Sequence, residues 1–465
     1  MSEARLAGDL NRGGLFLRLV TFGIPLVLGM FFHSLFNLVD LIIVGPLGPW
    51  ALAGVNQAGI VNFIPMLIST GVNNASIAYM SRNFGMRNYR RANAYALQSF
   101  LLLLVLAGAL GWPSYAYAAE LNRLVGSEGA ALGAATTYLE INSAGLVTMF
   151  VLMQVTAVLR AGGNARWPMI LLVGSNLLNV GLSYAMVYGV WGFPRMEVAG
   201  AAWGTVIARG LFALLGLYII LLPGVPVRLI LRRPWPRARM IGQLAGLGVP
   251  SSLQFVVRVC AYGAILKLVN QFGETEAVQS ALAVGLRLDM LGIFTGAGWG
   301  AAAAAMVGQG LGGGFPGRAE RAGWMASLLN VLLMAAIGVL YWWNAEWLVT
   351  FFGEDPGRDP QFAGTVRLGV EYLRIAVFGY PFAAVGITLA QSLNGAGSTK
   401  TPLLLDAVGF LGLQVPVAGY IAHHHERLGL GRSAMWWSLV ATTALAAAFY
   451  AYVWRRGHWK HKRIS

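Results

Sequence analysis

The chain has 465 residues, of which 57% are hydrophobic and only 11% charged. That ratio cannot clothe a water-soluble surface of ordinary composition, so the chain belongs in a bilayer. A net charge of +15 does not indicate nucleic acid, because the basic residues are confined to particular loops and to the tail.

Apolar stretches long enough to cross hydrocarbon as helices, and too long for barrel strands, recur along the whole chain. They predict spans over 15–45, 51–81, 92–112, 136–160, 167–190, 199–222, 241–272, 278–308, 322–344, 368–393, 402–424 and 433–454. The expected fold is an all-α integral membrane protein: twelve transmembrane helices in two pseudo-symmetric six-helix lobes around a central cavity. The N-terminal lobe is read as residues 1–230 and the C-terminal lobe as 231–465, joined by the Pro- and Arg-rich linker Pro223 to Arg239.

The first span holds Pro25 and, further on, His33, Asn37 and Asp40. These three fall at i, i+4 and i+7 and share one helical face, which cannot point at lipid. An ionisable group at that depth costs several kcal/mol unless paired or wet, so Asp40 is read as a proton-coupling carboxyl, the alternative being a structural Asp. Pro25 removes a backbone hydrogen bond and is read as a hinge; Pro65, Pro250 and Pro381 interrupt other spans in the same way. The second span adds Asn56, Asn62, Asn73 and Asn74, amides of the kind that join helices. In the fifth, Asn176, Asn179 and Ser183 form a second stripe that would meet the first if the two helices are neighbours.

The C-terminal half differs in sign. Gln254, Arg258 and Tyr262 recur at four-residue spacing in the seventh span, and Arg287 and Asp289 lie in the eighth. All five are candidates for the substrate cavity. Arg258 is too central to snorkel; its default expectation is a structural pair with Asp289, the alternatives being an anionic substrate group or a carboxylate across the cavity. Lys267 and Arg374 lie near the outer ends of their spans and can snorkel. Cys260, the single cysteine, is read as a small apolar filler.

His423-His424-His425-Glu426 falls in an expected outer loop and is read as solvated rather than metal-binding. No P-loop, Rossmann, Ser/His/Asp or zinc-protease signature occurs, so an enzyme, an ATP-driven pump, a cofactor and a bound metal are all unexpected. Basic clusters at Arg82 to Arg91, Arg160 to Arg166, Arg228 to Arg239, Arg318 to Arg321 and Arg455 to Arg463 predict that both termini are cytoplasmic. The partners expected are a small organic substrate and membrane lipids, with no nucleic acid, the chain acting as a monomer.

Three marker sets repeat in order at a nearly constant offset. Gly23-Ile24-Pro25 returns as Gly248-Val249-Pro250, the pattern Gly85 to Arg91-Ala92 as Gly312 to Arg318-Ala319, and Gly163, Arg166 and Pro168 as Gly397, Lys400 and Pro402. This marks a duplication, and because each copy has an even number of spans the halves are related by an axis along the membrane normal.

With the stretch Asp40 to Gly48, Ala51-Leu52-Ala53 and Gly200-Ala201-Ala202-Trp203-Gly204-Thr205, the ordered set resembles the multidrug and toxic compound extrusion (MATE) family over about residues 15–455. The resemblance implies alternating access of a central cavity driven by H+ or Na+, a bent first helix and a cation site in the N-terminal lobe. Asp40 matches the first-helix acid of the DinF-type branch and Pro25 the proline at the bend. Asn179 also matches, but Ser183 stands where relatives have a second acid, which puts Na+ behind H+.

The reading is a secondary active antiporter of the inner membrane that exports amphipathic drugs and toxic metabolites in exchange for protons. The alternative is a flippase or exporter of anionic or lipid-linked substrates, favoured by Arg258, Arg287 and Lys267.

Overall fold

The computed structural model describes residues 9–222, 229, 235–272, 275–352, 362–429 and 431–462. Within these, the side chains of Phe36, Asn37, Leu38, Asp40, Leu41, Asn270, 275–277, Phe352, 362–363, Glu426 and Leu428 lie outside the described set.

In hydrocarbon every backbone N–H and C=O must be satisfied within its own segment, and the described elements are accordingly helical. The N-terminal half comprises α1 (Leu15–Val44), α2 (Pro49–Gly85), α3 (Tyr89–Ala116), α4 (Ala118–Leu124), α5 (Gly129–Ala144), α6 (Leu146–Ala161), α7 (Arg166–Tyr188) and α8 (Val198–Leu221). The C-terminal half comprises α9 (Ala238–Val269), α10 (Thr275–Gly312), α11 (Pro316–Trp343), α12 (Ala345–Phe352), α13 (Phe362–Ala376), α14 (Tyr380–Gly395), α15 (Lys400–Asp406), α16 (Val415–Leu428) and α17 (Arg432–Arg456).

Eleven of the resulting segments are long and apolar enough to cross a membrane, and α5 and α6, bent by 52° at Gly145, supply a twelfth. Local chemistry sets the ends. Pro49 and Pro316 occupy first-turn positions, where the missing N–H costs nothing, and the Asn88 side chain accepts from Arg91 N at 3.1 Å to cap α3.

Two features depart from a simple twelve-rod reading. The eleventh span is not uniform: α15 and α16 are separated by a π-helical stretch, Ala407–Gln414. The His423 to Glu426 tract, expected in a loop, lies in the last turns of α16, because the helix runs on to Leu428. Within it His424 stacks on Tyr420 and His425 packs against Phe272.

The duplication is visible in the packing. Gly23 of α1 abuts Trp299 of α10, and its repeat partner Gly248 of α9 abuts Gly71 and Val72 of α2. Gly298 of α10 abuts Val27, and Gly71 abuts Ser252. The third pair is the tightest. A Cβ on Gly85 would lie 2.1 Å from the Gln309 carbonyl oxygen, and one on Gly312 would lie 2.0 Å from that of Arg82. These are the two glycines of the repeated Gly-to-Arg-Ala pattern. Each admits the other helix's backbone, so α2 and α10 cross where only glycine fits.

These contacts, and the hydrogen bonds between lobes, lie toward the face that carries the basic loops. Asn74 donates to Ser251 at 2.9 Å, Tyr95 to the Gln243 side chain at 2.8 Å, and Gln309 Nε2 to the Ala161 carbonyl at 2.9 Å.

The segment preceding α1 is a strap across this closure. Leu10 is buried with Leu19, Ala165, Trp299, Ala302 and Met306. Its N–H donates to Gln309 Oε1 (3.2 Å), Asn11 Nδ2 donates to the Gln309 carbonyl (3.0 Å), and Arg318 donates to the carbonyls of Leu10 and Gly13.

Candidate functional site

The first and fifth spans, α1 and α7, are neighbours, as the two polar stripes require. Both run in the same direction, and three contacts fix their register. Gly29 lies against Met169, the His33 ring nitrogen lies 3.4 Å from Asn176 Nδ2, and the Tyr188 hydroxyl donates to the Ile43 carbonyl at 2.8 Å. By that register position 40 stands level with Ser183. The side chains of Asp40 and Asn37 lie outside the described residues.

What faces that level is a closed polar cluster. Asn179, Ser183 and Thr205 are buried, and the Asn179 carbonyl oxygen accepts from Ser183 Oγ at 2.9 Å and Thr205 Oγ1 at 3.2 Å. Ser183 fits because Gly204 opposes it; a Cβ there would sit 2.5 Å from its hydroxyl. Arg209, half-buried in α8, lies within electrostatic reach of His33, an ionisable residue that the sequence reading passed over. Pro25 lies within an unbroken α1.

In the C-terminal lobe the expected pairing is overturned. Arg258 pairs not with Asp289 but with Asp406 of α15. Arg258 Nε donates to Asp406 Oδ2 at 3.1 Å and Nη2 to Oδ1 at 3.2 Å, and the Tyr450 hydroxyl donates to the same Oδ1 at 2.7 Å. The Asp406 side chain is fully enclosed, whereas 30% of the Arg258 side chain is exposed. Phe410, on the π-helical stretch, lies 5.6 Å from the guanidinium carbon. Asp406 and Tyr450 were not among the sequence candidates. The signal was present: Asp406 interrupts Leu403-Leu404-Leu405 and Ala407-Val408 in a predicted span.

Asp289 has partners of its own. Tyr372 of α13 donates to Oδ2 at 2.5 Å and Tyr380 of α14 to Oδ1 at 2.7 Å, with Tyr262 of α9 beside them. This cluster is embedded in apolar packing with Leu288, Met334, Tyr341, Leu373 and Val377. Asp289 is half-buried and its carboxyl is bonded to hydroxyls of the same lobe. Arg287, on another face of α10, is half-buried and has no bonded partner among the described residues.

Gln254 is buried and committed. Its amide exchanges two hydrogen bonds of 3.2 Å with Asn394 and donates to the Thr399 carbonyl at 3.1 Å. Arg374, expected to snorkel, lies over the Trp342 ring. Cys260 is exposed on α9 rather than filling a buried gap. Among the described residues no group of three or more His, Cys, Asp or Glu could hold a metal ion.

A repeat-related pair of helical lobes, closed at one face and carrying buried polar and charged groups at bilayer depth, is the architecture of a membrane transporter. The MatE family model matches residues 25–185 and 250–420. The chain belongs to the MatE family, whose members are transporters and not enzymes. It is 27% identical to the probable multidrug resistance protein YpnP of Bacillus subtilis, over 98% of this chain and 99% of that one. It is 24% identical to the probable multidrug resistance protein NorM of Brucella suis, over 93% and 91%. Among solved structures it is similar to one described as the outward-facing conformation of a multidrug resistance MATE family transporter of the MOP superfamily. That match has a TM-score of 0.88 and 24% identity and covers 97% of each chain.

Proposed function

We propose that this protein is a secondary active antiporter of the cell's inner membrane, with both termini cytoplasmic. It exports amphipathic organic compounds in exchange for protons by alternating access of the space between its lobes. The drug-like substrate class comes from the names of the relatives. Membership of the MatE family and closure on the basic face support the transport mode.

The observation that carries the choice of ion is the cluster level with position 40. Asn179 Oδ1 is the side-chain oxygen best placed to bind a cation there, and it already accepts from Ser183 and Thr205. Ser183 engages one of that oxygen's two lone pairs, and Thr205, whose single proton also reaches the Ala201 carbonyl at 2.9 Å, crowds the other. Ser183 supplies a hydroxyl where a second carboxylate would be needed to collect Na+. A single carboxyl at position 40 needs only one proton to become neutral, which suits H+.

In this reading, proton uptake at Asp40 in the state open away from the basic face discharges the stripe shared by α1 and α7. α1 then repacks about Pro25 and substrate leaves. Loss of the proton toward the cytoplasm resets the site.

The test is efflux from proteoliposomes under a pH gradient and, separately, under a Na+ gradient. The wild type should respond to the pH gradient alone, and Asp40→Asn should abolish the response at normal expression. Undiminished efflux in that variant removes Asp40 from the mechanism.

A further inference from the structure

The Arg258–Asp406 pair is lopsided. The carboxyl end is enclosed and the guanidinium end is partly open, so what reaches the open side is the cation. Two of the guanidinium's nitrogens, Nε and Nη2, are spent on Asp406, while Nη1 has no acceptor among the described residues. Tyr450 draws charge from the same carboxylate by donating to Oδ1, so the pair is not neutralised evenly.

The open side is a built cleft, not bulk lipid. Gln254, Phe255, Arg258, Ile387, Gln391 and Asn394 line it, and its cavity is small, about 20 Å³. Gln391 has an amide with no bonded partner among the described residues, whereas the amides of Gln254 and Asn394 are bonded to each other. The cleft therefore offers two kinds of uncommitted donor, a guanidinium N–H pair and an amide NH2, above an apolar floor. Its position on α9 is also telling. Arg258 lies two turns beyond Ser251, on the face that meets Asn74 of α2 where the lobes close.

We propose that this cleft is a subsite for the carboxylate of an amphipathic substrate, held by Arg258 Nη1 and the Gln391 amide. The class of compound is then zwitterionic or monoanionic rather than purely cationic. This rests on the exporter reading and narrows its substrate. A carboxylate matches the site because a guanidinium already shared with Asp406 has one face, not a full charge, left to offer.

The test is equilibrium binding to the purified full-length chain in neutral-lipid nanodiscs, with no ion gradient, so that an error about proton coupling cannot affect it. The probes are a zwitterionic xanthene dye bearing a free carboxylate and the ethyl ester of the same dye. The wild type should bind the free carboxylate roughly tenfold more tightly. Gln391→Leu, which breaks no hydrogen bond seen here, should cut that preference to about threefold. Arg258→Met combined with Asp406→Leu, which leaves no lone buried charge and lets the Tyr450 hydroxyl turn to the Pro402 carbonyl 3.1 Å away, should erase it. Asp406→Asn should increase it.

Equal affinity of the wild type for dye and ester overturns the proposal, as does full preference retained in the Arg258/Asp406 double variant. Loss of dye binding when anionic lipid replaces neutral lipid also overturns it, in favour of a lipid head group as the occupant.

Discussion

Arg258 and Asp406 are 148 residues apart in the chain and meet through two hydrogen bonds, with the carboxyl fully enclosed and the guanidinium partly open. Taking away one member strands the other. Arg258→Ala should lower stability by about 3–5 kcal/mol, because Asp406 would be left unpaired in the lobe interior. Replacing both with apolar residues of similar volume should cost far less. Thermal melting of the purified protein in detergent decides it, and a single variant as stable as the double would show that the pair is not the strut inferred here.

The carboxyl of Asp289 has a different support, two phenol hydroxyls. Tyr372→Phe and Tyr380→Phe should each destabilise the protein by about 1.5–3 kcal/mol if they donate to a charged group. The costs should shrink in an Asp289→Asn background, where only one oxygen remains to accept. Melting temperatures of the three single and two double variants give the coupling directly, and independence of the three positions would refute it.

Closure of the lobes depends on glycines that the other half's backbone presses against. A Cβ on Gly308 would fall 1.9 Å from Ser81 Oγ, a clash with a side chain. Gly308→Ala should therefore widen the basic face, and Ser81→Gly in the same chain should restore it. Gly312→Ala meets the Arg82 carbonyl oxygen and should have no such rescue. Spin labels at Arg87→Cys and Gly317→Cys in a Cys260→Ser background report the separation. An unchanged distance in Gly308→Ala would mean the contact does not hold the face shut.

Two hydroxyls, those of Ser183 and Thr205, lie against the Asn179 oxygen that a Na+ ion would need. Ser183→Ala with Thr205→Val removes both hydroxyls that lie against Asn179 Oδ1. The double variant should acquire measurable stimulation by a Na+ gradient in proteoliposomes that the wild type lacks, while pH-driven efflux persists. Stimulation already present in the wild type would show that these hydroxyls do not exclude the ion.

Much of this architecture was legible because hydrocarbon imposes a length and glycine repeats are conspicuous. The duplication read from Gly23 and Gly85 became a set of reciprocal helix crossings, and the stripe at Asn176 met His33 as helix periodicity required. Partner choice was less legible. Nothing in the spacing of Arg258 says that its carboxylate is Asp406 rather than Asp289, since both sit on other helices and only packing decides. Tyr372, Tyr380 and Tyr450 were passed over because a tyrosine in a span is ordinarily a packing residue, and its hydroxyl matters only once an acid is found beside it. The bend at Gly145 and the π-helical stretch after Asp406 leave no periodic signature strong enough to read.

The strap before α1 breaks the two-fold order of the closed face. Arg318 grips the carbonyls of Leu10 and Gly13, whereas the guanidinium of its repeat counterpart Arg91 lies over the Tyr95 ring. Gln309 ties Leu10 to α10 and α10 to Ala161, so α6 and α10 cannot part without loosening that knot. Withdrawing a buried leucine costs about 1.5–3 kcal/mol, enough to slow such a step about tenfold or more. Residues 10–13 thus give the closed face a fastening that belongs to one repeat and has no counterpart in the contacts of Arg91.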